Sequence, residues 1–265
     1  MTDVGGKHSG DPLVFYDLLA ADYDALTGFE SRFDRERPAF QAIVNRYRIR
    51  TAMDAGSGTG FHSLLLAQLG VAVTAVDISQ KMLDGLAAHA KSMNLSVAMV
   101  ESSFDSLQEK AAGRFDALFC LGNTLPHALT AAGLRRAMES FASVIRPGGS
   151  LFVQLLNYDR ILALRERVQN VKECGGVTYV RFYDYDQAGG LIMFNLLKLE
   201  KKESVQHSLM TVPLLPIRSG ELRHVMEATH FDDLRFYGGI AMEKYDEGVS
   251  RDLFVVATRS RGGAQ

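Results

Sequence analysis

Apolar residues recur along this chain with two different periods. Within residues 12–48 they repeat at spacings of three and four, as in Leu18, Leu19 and Tyr23, which predicts helices. From residue 51 onward, short apolar runs alternate with helical patterns. Five of these runs are predicted to be strands: Thr51–Asp54, Val71–Asp77, Ser96–Val100, Phe115–Leu121 and Ser150–Leu156. Because the runs are nearly continuously apolar and alternate with helices, we expect a mostly parallel sheet with helices on both faces.

The pattern changes after residue 160. A short helix is predicted over Ile161–Val168, and strands are predicted over Val177–Tyr185, Leu191–Leu199 and Val205–Val212, with a turn at 186–190. Charged and apolar residues alternate along the second of these strands. Such alternation is typical of a half-exposed antiparallel strand.

Beyond residue 216 the alternation of helix and strand resumes. Ser219 is the expected N-cap of a helix, and strands are predicted near Leu234–Tyr237 and Leu253–Ala257. Pro147-Gly148-Gly149 is expected to end the helix before the fifth strand. We therefore predict a doubly wound α/β core (residues 1–159 and 216–265) with an N-terminal helical lid. A small antiparallel β cap (residues 160–215) is predicted as an insertion into that core.

Composition narrows the class of protein. The 265 residues carry a formal net charge of −2, and two of them are cysteines, Cys120 and Cys174. A nearly neutral chain has no long-range field that would attract nucleic acid or an anionic membrane. Two cysteines without Cys-x-x-Cys spacing predict neither a disulfide framework nor a zinc site. We therefore expect a cytoplasmic protein with no metal, no nucleic-acid partner and no membrane partner.

The most informative segment is a glycine loop at residues 54–61, Asp-Ala-Gly-Ser-Gly-Thr-Gly-Phe, between the first strand and its helix. Glycines at such a turn allow positive φ angles and let a ligand approach the backbone closely. The dinucleotide fingerprint G-x-G-x-x-G needs a third glycine where this chain has Phe61. The spacing therefore argues against an oxidoreductase that binds NAD(P).

An acidic residue, Asp77, ends the second predicted strand at the distance from the loop that a βαβ unit requires. Its carboxylate can accept hydrogen bonds from both hydroxyl groups of a ribose. The alternative is that Asp77 only caps the helix that begins near Ser79. Ile78 and Met82 are candidates to pack on an adenine, with plain core packing as their alternative.

With these residues the chain resembles the class I S-adenosylmethionine-dependent methyltransferases, from about residue 12 to residue 258. The resemblance implies a Rossmann-like fold, S-adenosylmethionine as cofactor and S-adenosylhomocysteine as product. It also implies three groups of cofactor contacts: Gly56, Ser57, Gly58 and Gly60 with the methionine part, Asp77 with the ribose, and Ser103 and Phe104 with the adenine.

Two further segments resemble glycine and glycine/sarcosine N-methyltransferases, which carry Leu-Gly-Asn-Ser-x-x-His and Asn-Tyr-Asp. The counterparts here are Leu-Gly-Asn-Thr-Leu-Pro-His at 121–127 and Asn-Tyr-Asp at 157–159. Both segments follow predicted parallel strands, and the carboxyl ends of such strands border the ligand crevice. The resemblance implies that Leu121 and Gly122 contact the cofactor, and that Asn123, His127 and Tyr158 face the methyl acceptor.

The N-terminal segment resembles the lid of the same enzymes. By that resemblance, Tyr16 and Tyr23 belong to the cofactor site, and Tyr16 also reaches the acceptor. In the family an arginine pairs with the methionine carboxylate. Arg32 is the expected counterpart, with Arg35 and Arg37 as alternatives.

One position departs from the glycine enzymes. Leu156 stands where they carry the arginine that binds the amino-acid carboxylate, so we expect Leu156 to border the acceptor pocket and glycine to be disfavoured. Arg165 or Arg181 of the predicted cap remains an alternative source of that cation.

The sequence therefore predicts an enzyme that transfers a methyl group from S-adenosylmethionine to a small-molecule acceptor, with an amine nitrogen favoured. No general base is nominated, because a neutral amine needs none during attack. The alternatives are a glycine/sarcosine N-methyltransferase proper, an NAD(P)-binding oxidoreductase and a non-catalytic S-adenosylmethionine-binding module. The identity of the acceptor and the oligomeric state stay open.

Overall fold

The computed structural model describes residues 10–110, 114–185, 190–201 and 204–261. Within these residues the helices are α1 (Pro12–Thr27), α2 (Phe29–Tyr47), α3 (Phe61–Gln68), α4 (Gln80–Ser92), α5 (Leu107–Lys110), α6 (Ala131–Val144), α7 (Tyr158–Leu164) and α8 (Ser219–Ala228). The strands are β1 (Thr51–Ala55), β2 (Ala72–Asp77), β3 (Ala98–Glu101), β4 (Phe115–Cys120), β5 (Ile145–Leu156), β6 (Val168–Cys174), β7 (Val177–Tyr185), β8 (Ile192–Lys201), β9 (Val205–Leu214), β10 (Phe231–Tyr237) and β11 (Asp252–Arg259). Short 3₁₀ turns cover Phe104–Ser106 and Leu125–Ala128.

A seven-stranded sheet in the order β10-β11-β5-β4-β1-β2-β3 forms the core. Strands β3, β2, β1, β4 and β5 are parallel. At the other edge of the sheet, β11 pairs antiparallel with β5, and β10 pairs antiparallel with β11. Both faces are covered: Ala52 of β1 belongs to a buried cluster with Phe40 of α2 and Leu65 of α3, whereas its neighbour Met53 belongs to one with Phe141 of α6. The predicted doubly wound, mostly parallel α/β fold is therefore confirmed.

A separate antiparallel sheet, in the order β6-β7-β8-β9, lies between α7 and α8 in the chain. Its inner face packs on helix α1, where Phe15 and Leu19 share a buried cluster with Tyr179, Leu196 and Met210. Burial of such side chains stabilises the contact by about 1.5–3 kcal/mol each. The N-terminal helix is thereby attached to this sheet as well as to the core.

One predicted helix is misplaced. Ile161–Val168 was expected to be helical, but α7 ends at Leu164 and Val168 begins β6. The helix prediction was wrong at its end because Val168 belongs to β6, an edge strand in which Val168 and Val171 are 57% and 63% exposed. An exposed edge strand does not show the buried alternation from which strands are predicted. Residues 186–189 of the predicted turn lie outside the described part of the chain.

Two predicted helix ends also differ. The helix before β5 ends at Val144 rather than at the Pro-Gly-Gly segment, because Ile145 is already extended and pairs with Phe115 of β4. Ser219 is the first residue of α8, and Arg218 is its N-cap. The backbone N–H of Ser219 donates to Asp159 Oδ2 at 2.9 Å, so a carboxylate from α7 caps this helix from outside.

In the part of the chain that the structure describes, no helix combines the length and the apolar character that crossing a membrane requires.

Candidate active site

A cavity of about 240 Å³ opens at the carboxyl ends of the parallel strands, under helix α1. The strand order reverses beside β1, and ligands of such sheets bind at this point. Ten residues predicted from the sequence line the cavity: Tyr16, Tyr23, Gly56, Gly58, Asp77, Ile78, Met82, Ser103, Phe104 and His127. Segments far apart in the chain are thus brought to one crevice.

Two glycines of the loop have different roles. A Cβ atom at Gly56 would overlap Thr124 of the loop after β4, and one at Gly60 would overlap Leu86 of α4. Both residues have positive φ angles, 77° and 91°, which also favour glycine. Gly56 lines the cavity, whereas Gly60 allows α4 to approach the loop.

Asp77 is buried at the end of β2 with both carboxylate oxygens engaged. Oδ2 accepts a hydrogen bond from the Gly58 N–H at 2.8 Å, and Oδ1 accepts one from the Ser79 N–H at 3.0 Å. Burial raises the pKa of Asp77, and these two hydrogen bonds oppose that rise. Ser79, not Asp77, is the N-cap of α4, since Ser79 Oγ accepts from the Met82 N–H. Each carboxylate oxygen keeps a further lone pair for a ligand hydroxyl.

Helix α1 is tied to the loops that surround the cavity. Ser79 Oγ donates to Asp17 Oδ1, and Thr59 Oγ1 donates to Asp24 Oδ1, both at 2.6 Å. The other oxygen of Asp24 lies 2.7 Å from Nε2 of His89 on α4. These contacts hold α1 over the glycine loop and over the end of β2.

Tyr16 and His127 meet at the cavity. The phenol oxygen of Tyr16 and Nε2 of His127 share a hydrogen bond of 2.8 Å, while Nδ1 of His127 is buried with no hydrogen-bond partner among the described residues. Burial lowers the pKa of His127 to about 4, so the imidazole is neutral near pH 7. Burial also raises the pKa of Tyr16, and Tyr23 and Asp77 raise it further. The pair is therefore uncharged and hydrogen-bonded.

A second polar pair lies beside β5. The side-chain amide of Asn123 donates to the phenol oxygen of Tyr158 at 3.0 Å, and its carbonyl oxygen accepts from the Leu156 N–H at 3.0 Å. Tyr158 is fully buried, and Leu156 packs in the same apolar cluster with Ile161 and Tyr183. None of Asn123, Leu156 and Tyr158 lines the described cavity.

The three candidate arginines of α2 are in different environments. The Arg32 Nε–H donates to Glu36 Oε1 at 2.8 Å, and the guanidinium lies 4.0 Å above the Phe61 ring. Arg35 is 69% exposed at its side chain, and Arg37 donates to Gln68 on the surface. Of these three arginines, Arg32 is the one whose charge lowers the pKa of Tyr23.

The structure does not bring every predicted residue to the cavity. The described lining lacks Arg32, Ser57, Gly60, Leu121, Gly122, Asn123, Leu156 and Tyr158. Sequence reasoning missed other lining residues: Pro12, Ser102, Asp105, Thr124, Ala128, Gly133, Arg136 and Ala137. Thr124 could have been found, since it lies between Asn123 and His127. The lining residues of α6 have no local sequence pattern that predicts a ligand site. They reach the cavity because α6 packs on the 3₁₀ turn at Phe104–Ser106.

Comparisons with known proteins agree with this geometry. A methyltransferase domain family matches residues 52–149. Glycine/sarcosine N-methyltransferase from Parasynechococcus marenigrum is 28% identical over 82% of this chain and 75% of its own length. The CcbJ methyltransferase from Streptomyces caelestis has a TM-score of 0.80 at 22% identity and covers 94% of this chain and 99% of its own. The sugar N-methyltransferase KedS8 from Streptoalloteichus has a TM-score of 0.70 at 20% identity, over 98% and 97% of the two chains.

The matched domain spans the glycine loop, the acidic end of β2 and the loop after β4, which are the segments that surround the cavity. This protein is therefore an enzyme, an S-adenosylmethionine-dependent methyltransferase, whose residues 52–149 match a methyltransferase domain.

Proposed function

We propose that the enzyme transfers a methyl group from S-adenosylmethionine to the nitrogen of a small-molecule amine. The observation that carries this proposal is the neutral Tyr16–His127 pair, 2.8 Å apart, at the wall of the cavity. A neutral imidazole beside the acceptor does not repel an amine. Its unpartnered Nδ1 can accept a hydrogen bond from the amine N–H when Nε2–H donates to Tyr16.

The residues of the cavity fit the cofactor. Asp77 would hold the ribose hydroxyls, and Ile78, Met82, Ser103 and Phe104 would flank the adenine. The methionine part would lie along Gly56, Ser57 and Gly58. The Ser57 hydroxyl is buried and has no hydrogen-bond partner in the part of the chain that the structure describes. This supports the assignment, because a buried hydroxyl needs a hydrogen bond. Arg32 would reach the carboxylate by leaving Glu36, and Gly60, Leu121 and Gly122 would also contact the cofactor.

When bound, the cofactor supplies a methyl group on a positively charged sulfur that is its own leaving group. The protein then has to align the acceptor nitrogen with that methyl group and exclude water. Tyr16 and His127 would orient the amine from α1 and from the loop after β4. Asn123 and Tyr158 would form the second wall of the acceptor pocket. No general base is required, because the methylated amine loses its proton to water afterwards.

An amine acceptor is supported by the relatives, which are named as N-methyltransferases of glycine and sarcosine. Glycine/sarcosine N-methylation is the second candidate. It is disfavoured by Leu156, whose side chain is apolar and packs with Ile161 and Tyr183. We also propose that residues 160–215 act as a cap on a core of residues 1–159 and 216–265. Cytoplasmic location stays a prediction of the sequence.

The proposal is tested by measuring S-adenosylhomocysteine formation with panels of amines, thiols and carboxylic acids. We expect turnover with at least one class of amine and none with thiols or acids that lack an amine. Turnover confined to thiols or hydroxyl groups would overturn nitrogen as the acceptor. Tight cofactor binding with no turnover of any acceptor would favour the non-catalytic binding module.

A further inference from the structure

Arg181 of β7 points toward the interior of the molecule. Side chains alternate along a strand, so Arg181 shares a face with Tyr179 and Tyr183, which are 3% and 2% exposed. Its cross-strand partner Leu196 is buried as well. The Arg181 Nη2–H donates to the carbonyl oxygen of Leu26 on helix α1 at 3.2 Å. A guanidinium is thus placed between the antiparallel sheet and the lid helix.

This guanidinium lacks a counter-ion. Within the described residues no carboxylate oxygen lies within 4.0 Å of it, and the Leu26 carbonyl accepts its one hydrogen bond there. Other arginines of the same sheet are satisfied near the surface: Arg167 pairs with Asp184 at 2.7 Å, and Arg165 stacks 5.0 Å above the Tyr185 ring. An arginine has five N–H donors, so most of those of Arg181 are left for a ligand.

The surroundings connect Arg181 to the acceptor side of the cavity. Its charge acts on the phenol groups of Tyr23 and Tyr183, and Tyr23 lines the cavity and packs 6.4 Å from Tyr16 between ring centroids. Tyr183 in turn is an electrostatic neighbour of Tyr158. Tyr183 also belongs to one buried cluster with Tyr158, and Leu156 packs against that cluster.

We propose that Arg181 binds an anionic group of the methyl acceptor, a carboxylate or a phosphate. This inference rests on the proposed function and specifies its acceptor as an amine that carries a negative charge. Burying an arginine without a counter-ion is costly, and a carboxylate or phosphate that accepts two of its N–H groups removes that cost. An uncharged amine would leave the guanidinium unpaired in the loaded enzyme.

The test compares acceptors that differ only in charge. Glycine is paired with glycinamide, sarcosine with its amide, longer amino acids with their amides, and aminomethylphosphonate is added to separate phosphate from carboxylate. Turnover is measured for the wild type, Arg181→Gln and Arg181→Lys. Arg167→Gln is the matched control, because Arg167 lies on the same sheet and is paired at the surface.

We expect Arg181→Gln to lower kcat/KM for the anionic acceptor by about 10–100-fold, while kcat/KM for its amide changes less than about threefold. Arg181→Lys should restore part of the loss, and Arg167→Gln should behave as the wild type. Equal losses for the charged and the uncharged acceptor would overturn the proposal, because they would mean that Arg181 only positions the lid.

A binding measurement separates this inference from the proposed function. Calorimetry on the enzyme saturated with S-adenosylhomocysteine gives the affinity for each carboxylate, phosphonate and amide without any turnover. Weaker binding of the anions alone in Arg181→Gln supports the proposal even if no amine is methylated. Anion affinities that are the same in the wild type and in Arg181→Gln overturn it, whatever the enzyme methylates.

Discussion

The phenol oxygen of Tyr16 lies 2.8 Å from Nε2 of His127, although 111 residues separate the two in the chain. The contact joins helix α1 to the loop after β4 and closes one side of the cavity. Because α1 is also bonded to Thr59 and Ser79, it forms one hydrogen-bonded unit with the glycine loop, the loop after β2 and the loop after β4.

We expect His127→Leu to lower kcat/KM for the acceptor by about 10–100-fold, because it removes both hydrogen-bonding nitrogens from the acceptor wall. Affinity for S-adenosylmethionine should change less than about threefold. The pKa of about 4 predicts that kcat/KM shows no inflection due to His127 between pH 6 and pH 8. His127→Gln, which keeps polar atoms there, is the control. A wild-type inflection in that range that disappears in His127→Gln would contradict a neutral imidazole.

Asp77→Ala should weaken binding of S-adenosylmethionine by about 1.5–3 kcal/mol, which is roughly 10–100-fold, because a carboxylate contact to the ribose hydroxyls is lost. Calorimetry measures this directly, and circular dichroism shows whether the fold is intact. Asp84→Asn is the control, since Asp84 is exposed on the neighbouring helix and accepts a hydrogen bond only from Gln80. Equal affinities for Asp77→Ala and the wild type would remove Asp77 from the site.

Glu36 should contribute to stability in a pH-dependent way. Burial alone would raise its pKa. His62, whose Nε2 lies 3.7 Å from Glu36 Oε2, and hydrogen bonds from Arg32 outweigh burial and lower the pKa to about 2 from the ordinary 4.5. A depressed carboxyl pKa stabilises the fold above pH 4.5, and this contribution is lost as the pH falls toward 2. Its full size is about 3 kcal/mol for a side chain that is 13% exposed.

Urea unfolding of the wild type and Glu36→Gln at pH 7 and pH 3 measures this contribution. The wild type should be more stable at pH 7, and the difference should shrink by at least half at pH 3. Glu139→Gln, which removes an exposed carboxylate paired with Arg135, should change little at either pH. A difference that is the same at both pH values would show that Glu36 acts through packing rather than through its charge.

Leu196→Ala should destabilise the protein by about 2–5 kcal/mol, because Leu196 is 1% exposed between the antiparallel sheet and helix α1. Leu209→Ala on β9 is the matched control, since Leu209 is 39% exposed and should cost far less. Thermal or urea unfolding gives both values. Similar values for the two variants would mean that the lid does not depend on packing against this sheet.

The amino-acid sequence by itself determined the fold and more than half of the residues that line the cavity. Strand alternation, the glycine loop and the acidic end of β2 are local signals, because each depends on residues within one βαβ unit. Gly56, Gly58 and Asp77 accordingly lie in the cavity where the pattern predicts them. The local pattern failed at β6, whose edge position exposes its valines and hides the strand signal.

Tertiary structure alone decided how distant side chains pair. That Arg32 lies against Phe61 and His62 depends on how helices pack on the sheet. The same packing lets Asp24 join Thr59 to His89 and brings Arg136 of α6 to the cavity. The same holds for Arg181. The sequence predicts the strand that carries Arg181. The register of β7 and the packing of α1 decide that this side chain faces α1 and that no carboxylate of the described residues lies near it. Contacts between residues distant in the chain produce no periodic pattern in the sequence, because they form only when the packed elements meet.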